Sequence, residues 1–228
     1  MTGGLFITGT DTGVGKTSVC CHLVRGFRKM GLDAVGMKPF ACGDREDAMA
    51  LDDANGGCVD LGLVNPVWLR VPAAPYTASL VENRVLDVST AQDACRVLRE
   101  KHDLVVVEGV GGWRVPLTDQ LCMSDFAVEL GFPVVVVVAN RLGALNHARL
   151  TVDAVQQRGL SVAAILWNDV LGGQPDTARV TNQGVFEQWK PGEFHAQVEF
   201  GATCLSDGLL EAILLRIGKN ESRACESQ

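Results

Sequence analysis

Residues 4–29 read GLFITGTDTGVGKTSVCCHLVRGFRK, and the order of features within them decides the fold. An apolar run rich in strand formers ends at Gly9, a glycine-rich turn follows, and from Lys16 to about Lys29 the apolar residues recur at helical spacing. Strand, glycine turn and helix in that order are the context a phosphate-binding loop requires. The backbone N–H groups of Gly13, Val14, Gly15, Lys16, Thr17 and Ser18 then sit at a helix N-terminus, where free donors and the helix dipole favour an anion. In that setting the Lys16 ammonium reaches the terminal phosphates of a nucleotide, and the Thr17 hydroxyl coordinates magnesium. Five residues separate Gly9 from Gly15, one more than the usual loop has, so the loop is a variant. An ordinary glycine-rich strand-to-helix turn is the competing reading.

Outward from this unit the same alternation continues. AVGMKPF (34–40), DLVVVEG (103–109), PVVVVVAN (133–140) and SVAAILWN (161–168) read as strands. Helical patterns fall near Thr90–Lys101 and Leu145–Arg158. Continuous apolar runs such as Val134–Val138 suit strands buried on both faces, the habit of parallel sheets covered by helices. The pattern predicts an α/β fold: a doubly wound, mainly parallel sheet with helices on both faces, of the P-loop NTPase kind. Residues 55–83, which include VNPVWLRVPAAPYTAS, hold most of the irregular sequence and are expected to form a long excursion over the sheet's C-terminal edge. After Asp169 the pattern weakens, although GLLEAILLRIG (208–218) has helical spacing. One domain is expected over 1–218, with KNESRACESQ (219–228) as a tail lacking order.

The bulk properties exclude several functions. A chain of 228 residues supports one well-buried core. No apolar run reaches the roughly eighteen residues of a membrane span, and a net charge of −7 without clustered Lys or Arg argues against a nucleic-acid-binding face. The eight cysteines form no CxxC pair, and Cys20 and Cys21 adjoin within a predicted helix, as small core residues of a reducing cytoplasm do. No basic stretch followed by an apolar segment opens the chain, so a cytoplasmic rather than secreted protein is expected.

Further chemistry gathers at predicted strand ends, where doubly wound sheets bind their ligands. Lys38 ends the second strand, and Pro39 blocks its continuation as a central strand. Lys38 either neutralises charge on a transferred phosphoryl group or is a solvated surface lysine. Glu108 ends DLVVV and precedes Gly109, Val110 and Gly111, which permit close backbone approach. A carboxylate emerging from a buried strand needs a partner. Asp47 begins a predicted helix, where it either holds a metal or serves the helix dipole. Asn168 and Asp169 end the last apolar strand. An asparagine amide can pair with adenine, but Asn-Asp is also common turn chemistry, and position alone favours the turn.

Seven ordered segments carry a resemblance to a known family. GTDTGVGKT, GMKPFACG, DAMAL, VNP, VEGVGGW, LGALNHARLT and NDV, between Leu5 and Val170, resemble the dethiobiotin synthetases. Similar phosphate loops occur in cobyrinate diamide synthases and partitioning ATPases. The resemblance implies an ATP-dependent ligase of biotin biosynthesis that closes a cyclic urea on 7,8-diaminopelargonate with CO2 through a phosphorylated carbamate. It implies that Thr17, Asp47 and Glu108 coordinate Mg2+, that Lys16 and Lys38 stabilise phosphoryl and carbamate oxygens, and that Thr12 contacts the carbamate end. It gives Asn168 the adenine contact, against the turn reading. It also implies a homodimer, with the substrate carboxylate meeting Gly143, Ala144, Leu145 and Asn146 of the partner within the Leu142–His147 segment. Two departures stand out: Cys42 replaces the family's common Ser or Thr after the KP pair, and the family's Gly-x-Ile-Pro segment over the base has no clean match. Lys190–Phe200 is its nearest candidate.

Overall fold

The computed structural model describes residues 3–226, with side chains described as far as Gly218. The strands are β1 (Gly3–Gly9), β2 (Ala34–Met37), β3 (Phe40–Cys42), β4 (Val67–Leu69), β5 (Leu104–Gly112), β6 (Val134–Ala139), β7 (Val162–Asn168) and β8 (His195–Val198). The helices are α1 (Lys16–Lys29), α2 (Glu46–Ala54), α3 (Leu61–Val64), α4 (Pro75–Val81), α5 (Val88–Lys101), α6 (Met123–Leu130), α7 (Ala144–Gln157), α8 (Thr177–Trp189) and α9 (Asp207–Glu226).

Six strands form one sheet in the order β2-β5-β1-β6-β7-β8, and every pairing is parallel. Each residue of β1 and of β6 is buried. Because side chains alternate between the faces of a strand, full burial means that both faces are covered. The core joins Phe6, Val24, Phe27, Val106, Val136 and Trp167 across the sheet. β1 lies between β5 and β6, so the chain leaves it toward β2 on one side and later returns to build β6, β7 and β8 on the other. The cleft at the carboxyl end of β1 is therefore the topological switch point, where such sheets hold ligands.

Several expectations are corrected. β2 is an edge strand, not a central one, so Pro39 after it removes no ladder bond. The backbone resumes at once as β3, which pairs with β4 in a separate small ladder. The excursion expected over 55–83 is built of α3, β4 and α4, short elements whose irregular sequence conceals them. The Lys190–Phe200 segment contains β8, a sixth strand on the far edge, beside β7. α9 does not break at Gly218, where the tail was placed; its backbone continues to Glu226, since KNESRACE carries no helix breaker. The rest of that proposed tail lies outside the described residues.

Leu209, Leu210, Ile213 and Ile217 give α9 its buried stripe, which packs against β1, β7 and α1. Among the described residues no helix is long and apolar enough to cross a membrane.

Candidate active site

β1 delivers the chain into the loop Thr10–Gly15, and α1 begins directly beyond it. Gly15 precedes α1 with φ 90°, the left-handed region that glycine occupies without penalty. A Cβ there would lie 2.1 Å from Asn168 Nδ2, so the position also requires glycine for space. Asn168 donates from that nitrogen to the Val14 carbonyl at 2.9 Å, tying the end of β7 to the loop. Lys16 points back along the loop and donates to the Asp11 carbonyl at 2.9 Å. Burial lowers the Lys16 pKa, and the nearby Lys38 ammonium lowers it further. Both effects penalise its charge until an anion arrives.

The second half of the site hangs from β2, α2 and β5. Lys38 follows β2 and is buried, which rules out the surface-lysine reading. Its Nζ lies 2.6 Å from Asp47 Oδ2 and 2.6 Å from Glu108 Oε1. Burial alone would lower its pKa, but the two carboxylates outweigh burial and hold Lys38 well above the ordinary lysine value. Glu108 is fully buried within β5, and that burial raises its pKa against the pull of Lys38. Asp47 is half exposed; burial works against its charge, yet Lys38 and Thr17 together depress its pKa. Glu108 is thus the weaker acid of the pair, and Lys38 stays charged beside both.

Thr17 joins the two halves. Its Oγ1 lies 2.8 Å from Asp47 Oδ1 and 2.8 Å from Glu108 Oε1. One hydroxyl hydrogen serves only one carboxylate at a time, so three oxygens, Thr17 Oγ1, Asp47 Oδ1 and Glu108 Oε1, converge with the Lys38 ammonium beside them. Glu108 Oε2 is buried without a partner. An all-oxygen donor set with an unmet carboxylate oxygen suits a hard cation such as Mg2+, which takes one or two carboxylates and completes its shell with phosphate and water. Among the described residues no cluster of three or more His, Cys, Asp or Glu is placed to hold a metal ion.

These groups line a cavity of about 660 Å³ with Thr12, Gly13, Cys42, Val110 and Gly111. The excursion closes one wall with Pro72, Ala73, Ala74 and Pro75, which sequence reasoning placed only as a loop near the site. Ala41, Asp44 and Val115, to which the sequence assigns no role, complete the lining. Gly109 lies inside β5, where a Cβ would come 3.2 Å from Phe6 and 3.3 Å from the Ile7 carbonyl. Ser18 faces solvent in the first turn of α1 and bonds His22 at 3.1 Å. Cys42 is partly buried, and burial pushes its thiol up to about 11.

The remaining sequence-derived positions fall elsewhere. Gly143 caps α7 with φ 90° and no side-chain acceptor, leaving the first N–H groups of Ala144, Leu145 and Asn146 without a capping side chain. Asn168 and Asp169 do not form an exposed turn; both are buried. The Asp169 carboxylate is engaged by Asn140, Arg179 and Gln197, none of which the sequence marked.

A parallel sheet with a glycine loop and GKT helix start at its switch point defines a P-loop nucleotide-binding protein. The septum site-determining protein MinD of Pyrococcus horikoshii, complexed with Mg-ADP, shares this fold at TM-score 0.56 and 15% identity, over 93% of this chain and 86% of that one. The pNOB8 ParA structure bound to nonspecific DNA matches at TM-score 0.55 and 10% identity, over 100% of both chains. Identities that low establish the fold alone. A family model described as an AAA domain matches residues 3–190. The ATP-dependent dethiobiotin synthetase BioD of Akkermansia muciniphila is 42% identical over 208 residues, 91% of this chain and 97% of that protein. The protein of the same name from Anaeromyxobacter dehalogenans is 47% identical over 169 residues, 72% of this chain and 76% of that protein. The chain belongs to the dethiobiotin synthetase family.

Proposed function

We propose that this chain is an ATP- and magnesium-dependent cyclo-ligase that forms the cyclic urea of dethiobiotin from 7,8-diaminopelargonate and CO2. The observation that carries the reading is the meeting of Lys38, Asp47 and Glu108 with Thr17 of the phosphate loop in one cavity. CO2 adds to one substrate amine as a carbamate with loss of a proton, a carbamate oxygen attacks the γ-phosphorus of ATP and expels ADP, and the neighbouring amine attacks the carbonyl carbon, losing a proton and displacing phosphate to close the ring. Such chemistry asks the protein chiefly for positioning and charge stabilisation.

In this reading the loop from Gly13 to Ser18 binds the triphosphate, and Lys16 follows the γ-phosphoryl group. Thr17, Asp47 and Glu108 would hold Mg2+, which would supply charge neutralisation at the phosphate oxygens. Lys38, kept protonated by its two carboxylates, stabilises the carbamate and the transferring group. Thr12 and Cys42 face the carbamate end, the backbone of Gly109, Val110 and Gly111 borders the nucleotide, and Asn168 meets the adenine. The substrate carboxylate would meet the α7 start, from Gly143 to Asn146, of a second copy in a cytoplasmic homodimer, where the N-terminal end of the helix dipole favours an anion.

A nucleotide switch of the partitioning kind would use the C-terminal helix as an amphipathic membrane anchor, but the apolar stripe of α9 is spent on the core. Incubation with diaminopelargonate, bicarbonate, Mg2+ and ATP, followed by mass analysis, tests the proposal. Dethiobiotin and ADP are expected; ADP without dethiobiotin overturns it.

A further inference from the structure

A closed set of polar side chains joins the ends of β6, β7 and β8 to α8, directly beside the phosphate loop. Asn140 follows β6, and its N–H donates to the Asn168 carbonyl at 2.9 Å. Its Nδ2 donates to Asp169 Oδ1 at 3.1 Å and to the Arg179 carbonyl at 2.9 Å. Asn182, one turn along α8, donates to Asn140 Oδ1 at 2.9 Å and to the Arg141 carbonyl at 3.1 Å. Arg179 presents both arms of its guanidinium to Asp169, Nη2 at 3.2 Å from Oδ2 and Nε at 3.4 Å from Oδ1. Gln197 of β8 adds a bond to Oδ2 at 3.1 Å, and the Asp169 N–H donates to the Val198 carbonyl at 2.8 Å. Asn140, Asp169, Arg179 and Asn182 are all more than nine-tenths buried.

A buried arginine–aspartate pair is poor value as a source of stability, because desolvation offsets most of its attraction and apolar residues often serve as well. It does fix geometry, since the fork accepts the carboxylate in few orientations. What it fixes here is the end of β7. Asn168 immediately precedes Asp169, and its amide holds the Val14 carbonyl and fills the space over Gly15. A shift of Asp169 carries that tether with it, and with it the N–H groups that face the phosphates.

We infer that Arg179 is a positioning residue for the nucleotide: through Asp169 and Asn168 it sets the conformation of the phosphate loop, with Asn140 and Asn182 bracing the pair. The inference rests on the proposed assignment of ATP to that loop. It also gives α8, in the part of the chain with no readable motif, a part in nucleotide binding. Asp169 then acts as the strut, with its carboxylate oxygens already committed, and not as a direct nucleotide contact.

Arg179→Gln, Arg179→Lys and Asn182→Ala test this, read by the KM for ATP, kcat, the KM for diaminopelargonate, melting temperature and equilibrium binding of ADP. Arg179→Gln is expected to raise the ATP KM and the ADP Kd about tenfold, the size of one lost charge-assisted hydrogen bond. Both kcat and the diamine KM should stay near wild type. Arg179→Lys keeps the charge without the fork and should fall between. A lower melting temperature with unchanged ATP and ADP affinity makes the cluster a structural brace only and overturns the inference. If Arg179→Gln does not fold, Arg179→Lys and Asn182→Ala decide: weaker ADP binding by about threefold sustains the positioning role, and wild-type binding refutes it. ADP binding also separates the two proposals, because it can be measured even if the wild-type protein makes no dethiobiotin.

Discussion

Lys38 Nζ lies 2.6 Å from Glu108 Oε1, a contact in which a lysine beyond the edge strand meets a carboxylate inside the neighbouring strand, with both side chains buried. Asp47 supplies a second carboxylate at the same distance, so the ammonium stands between two anions and remains protonated through neutral pH. Lysine is suited to this position because its charge is compact and carried on a flexible stem. Such a cation can stabilise a developing phosphoryl charge only if it is held in place beforehand, and the two carboxylates hold it.

Lys38→Ala is therefore expected to lower kcat on the order of a hundredfold or more, about 2.7 kcal/mol of transition-state stabilisation. Lys16→Ala should do likewise. Lys38→Arg should recover little, since a planar guanidinium does not fit between Asp47 and Glu108 as an ammonium does. Steady-state turnover of protein shown to be folded by its melting curve checks this; normal turnover in Lys38→Ala would remove Lys38 from the mechanism whatever Lys16 showed.

Glu108→Gln replaces the fully buried carboxylate, whose Oε2 has no partner, with a neutral amide of the same shape. The proposed Mg2+ site would then lose one of its two charges while Thr17 and Asp47 remain. The expected outcome is a raised magnesium requirement, seen as a shift of the activation curve to higher Mg2+, with turnover partly restored at saturation. An unshifted curve would show that Glu108 serves only Lys38.

Much of this site was legible because its parts sit at the ends of long apolar runs. Val134–Val138 and DLVVV announce buried strands unaided, and a strand followed by GKT and a helix leaves few other readings. The burial of Lys38 was not legible, since position alone gives no burial, and the edge placement of β2 depends on a strand order that only the fold sets. β8 escaped notice because it lies at the sheet edge, where His195, Ala196 and Gln197 keep part of their surface in water and no continuous apolar run is required. α8 escaped for a related reason: TARVTNQGVFEQW carries Gly184 and β-branched residues, and of these residues Arg179, Asn182 and Phe186 are the buried ones. A polar residue whose partners come from three other elements leaves no local signature.

Phosphate release should require both diaminopelargonate and bicarbonate, because in the proposed reaction the acceptor of the γ-phosphoryl group is a carbamate that exists only when both are present. Omitting either is expected to reduce release to a small background. Equal release without the diamine would favour a nucleotide switch over a synthetase.

Cys42 stands where the family commonly has Ser or Thr, and burial raises its thiol to about 11. A raised pKa keeps the neutral form dominant below that pH, so at pH 7 to 8 Cys42 is a thiol, a weak donor and a poor nucleophile. Iodoacetamide should label it slowly near neutrality and faster as pH climbs toward 11, with ATP and diaminopelargonate protecting it. Peptide mapping resolves Cys42 from the exposed Cys58 and Cys204. Rapid labelling at pH 7 would mean a thiolate stabilised by the site. Cys42→Ser should lower the diamine KM by up to about tenfold if the hydroxyl regains one neutral hydrogen bond.

Base selectivity depends on what surrounds the adenine beyond Asn168. One Nδ2 donor of Asn168 is already given to Val14, so in the proposed adenine contact the amide would meet the base with less than its full capacity. The family's Gly-x-Ile-Pro cover has no clean counterpart: residues 195–198 of the nearest candidate are strand β8, and Phe200 beyond them is exposed. Triphosphate contacts to the loop and Lys16 are indifferent to the base and supply most of the affinity through charge-assisted hydrogen bonds. One poorly enclosed base contact contributes about 1 to 2 kcal/mol, roughly ten- to thirtyfold discrimination, far below that of a closed pocket built to pair with its substrate. ATP should therefore be preferred over GTP and CTP only modestly. Asn168→Ala should flatten that preference and also raise the KM of all three nucleotides, because the same side chain tethers the phosphate loop. Specificity constants for the three nucleotides decide the matter: a preference for ATP above about a thousandfold would mean that a segment such as Lys190–Phe200 encloses the base after all.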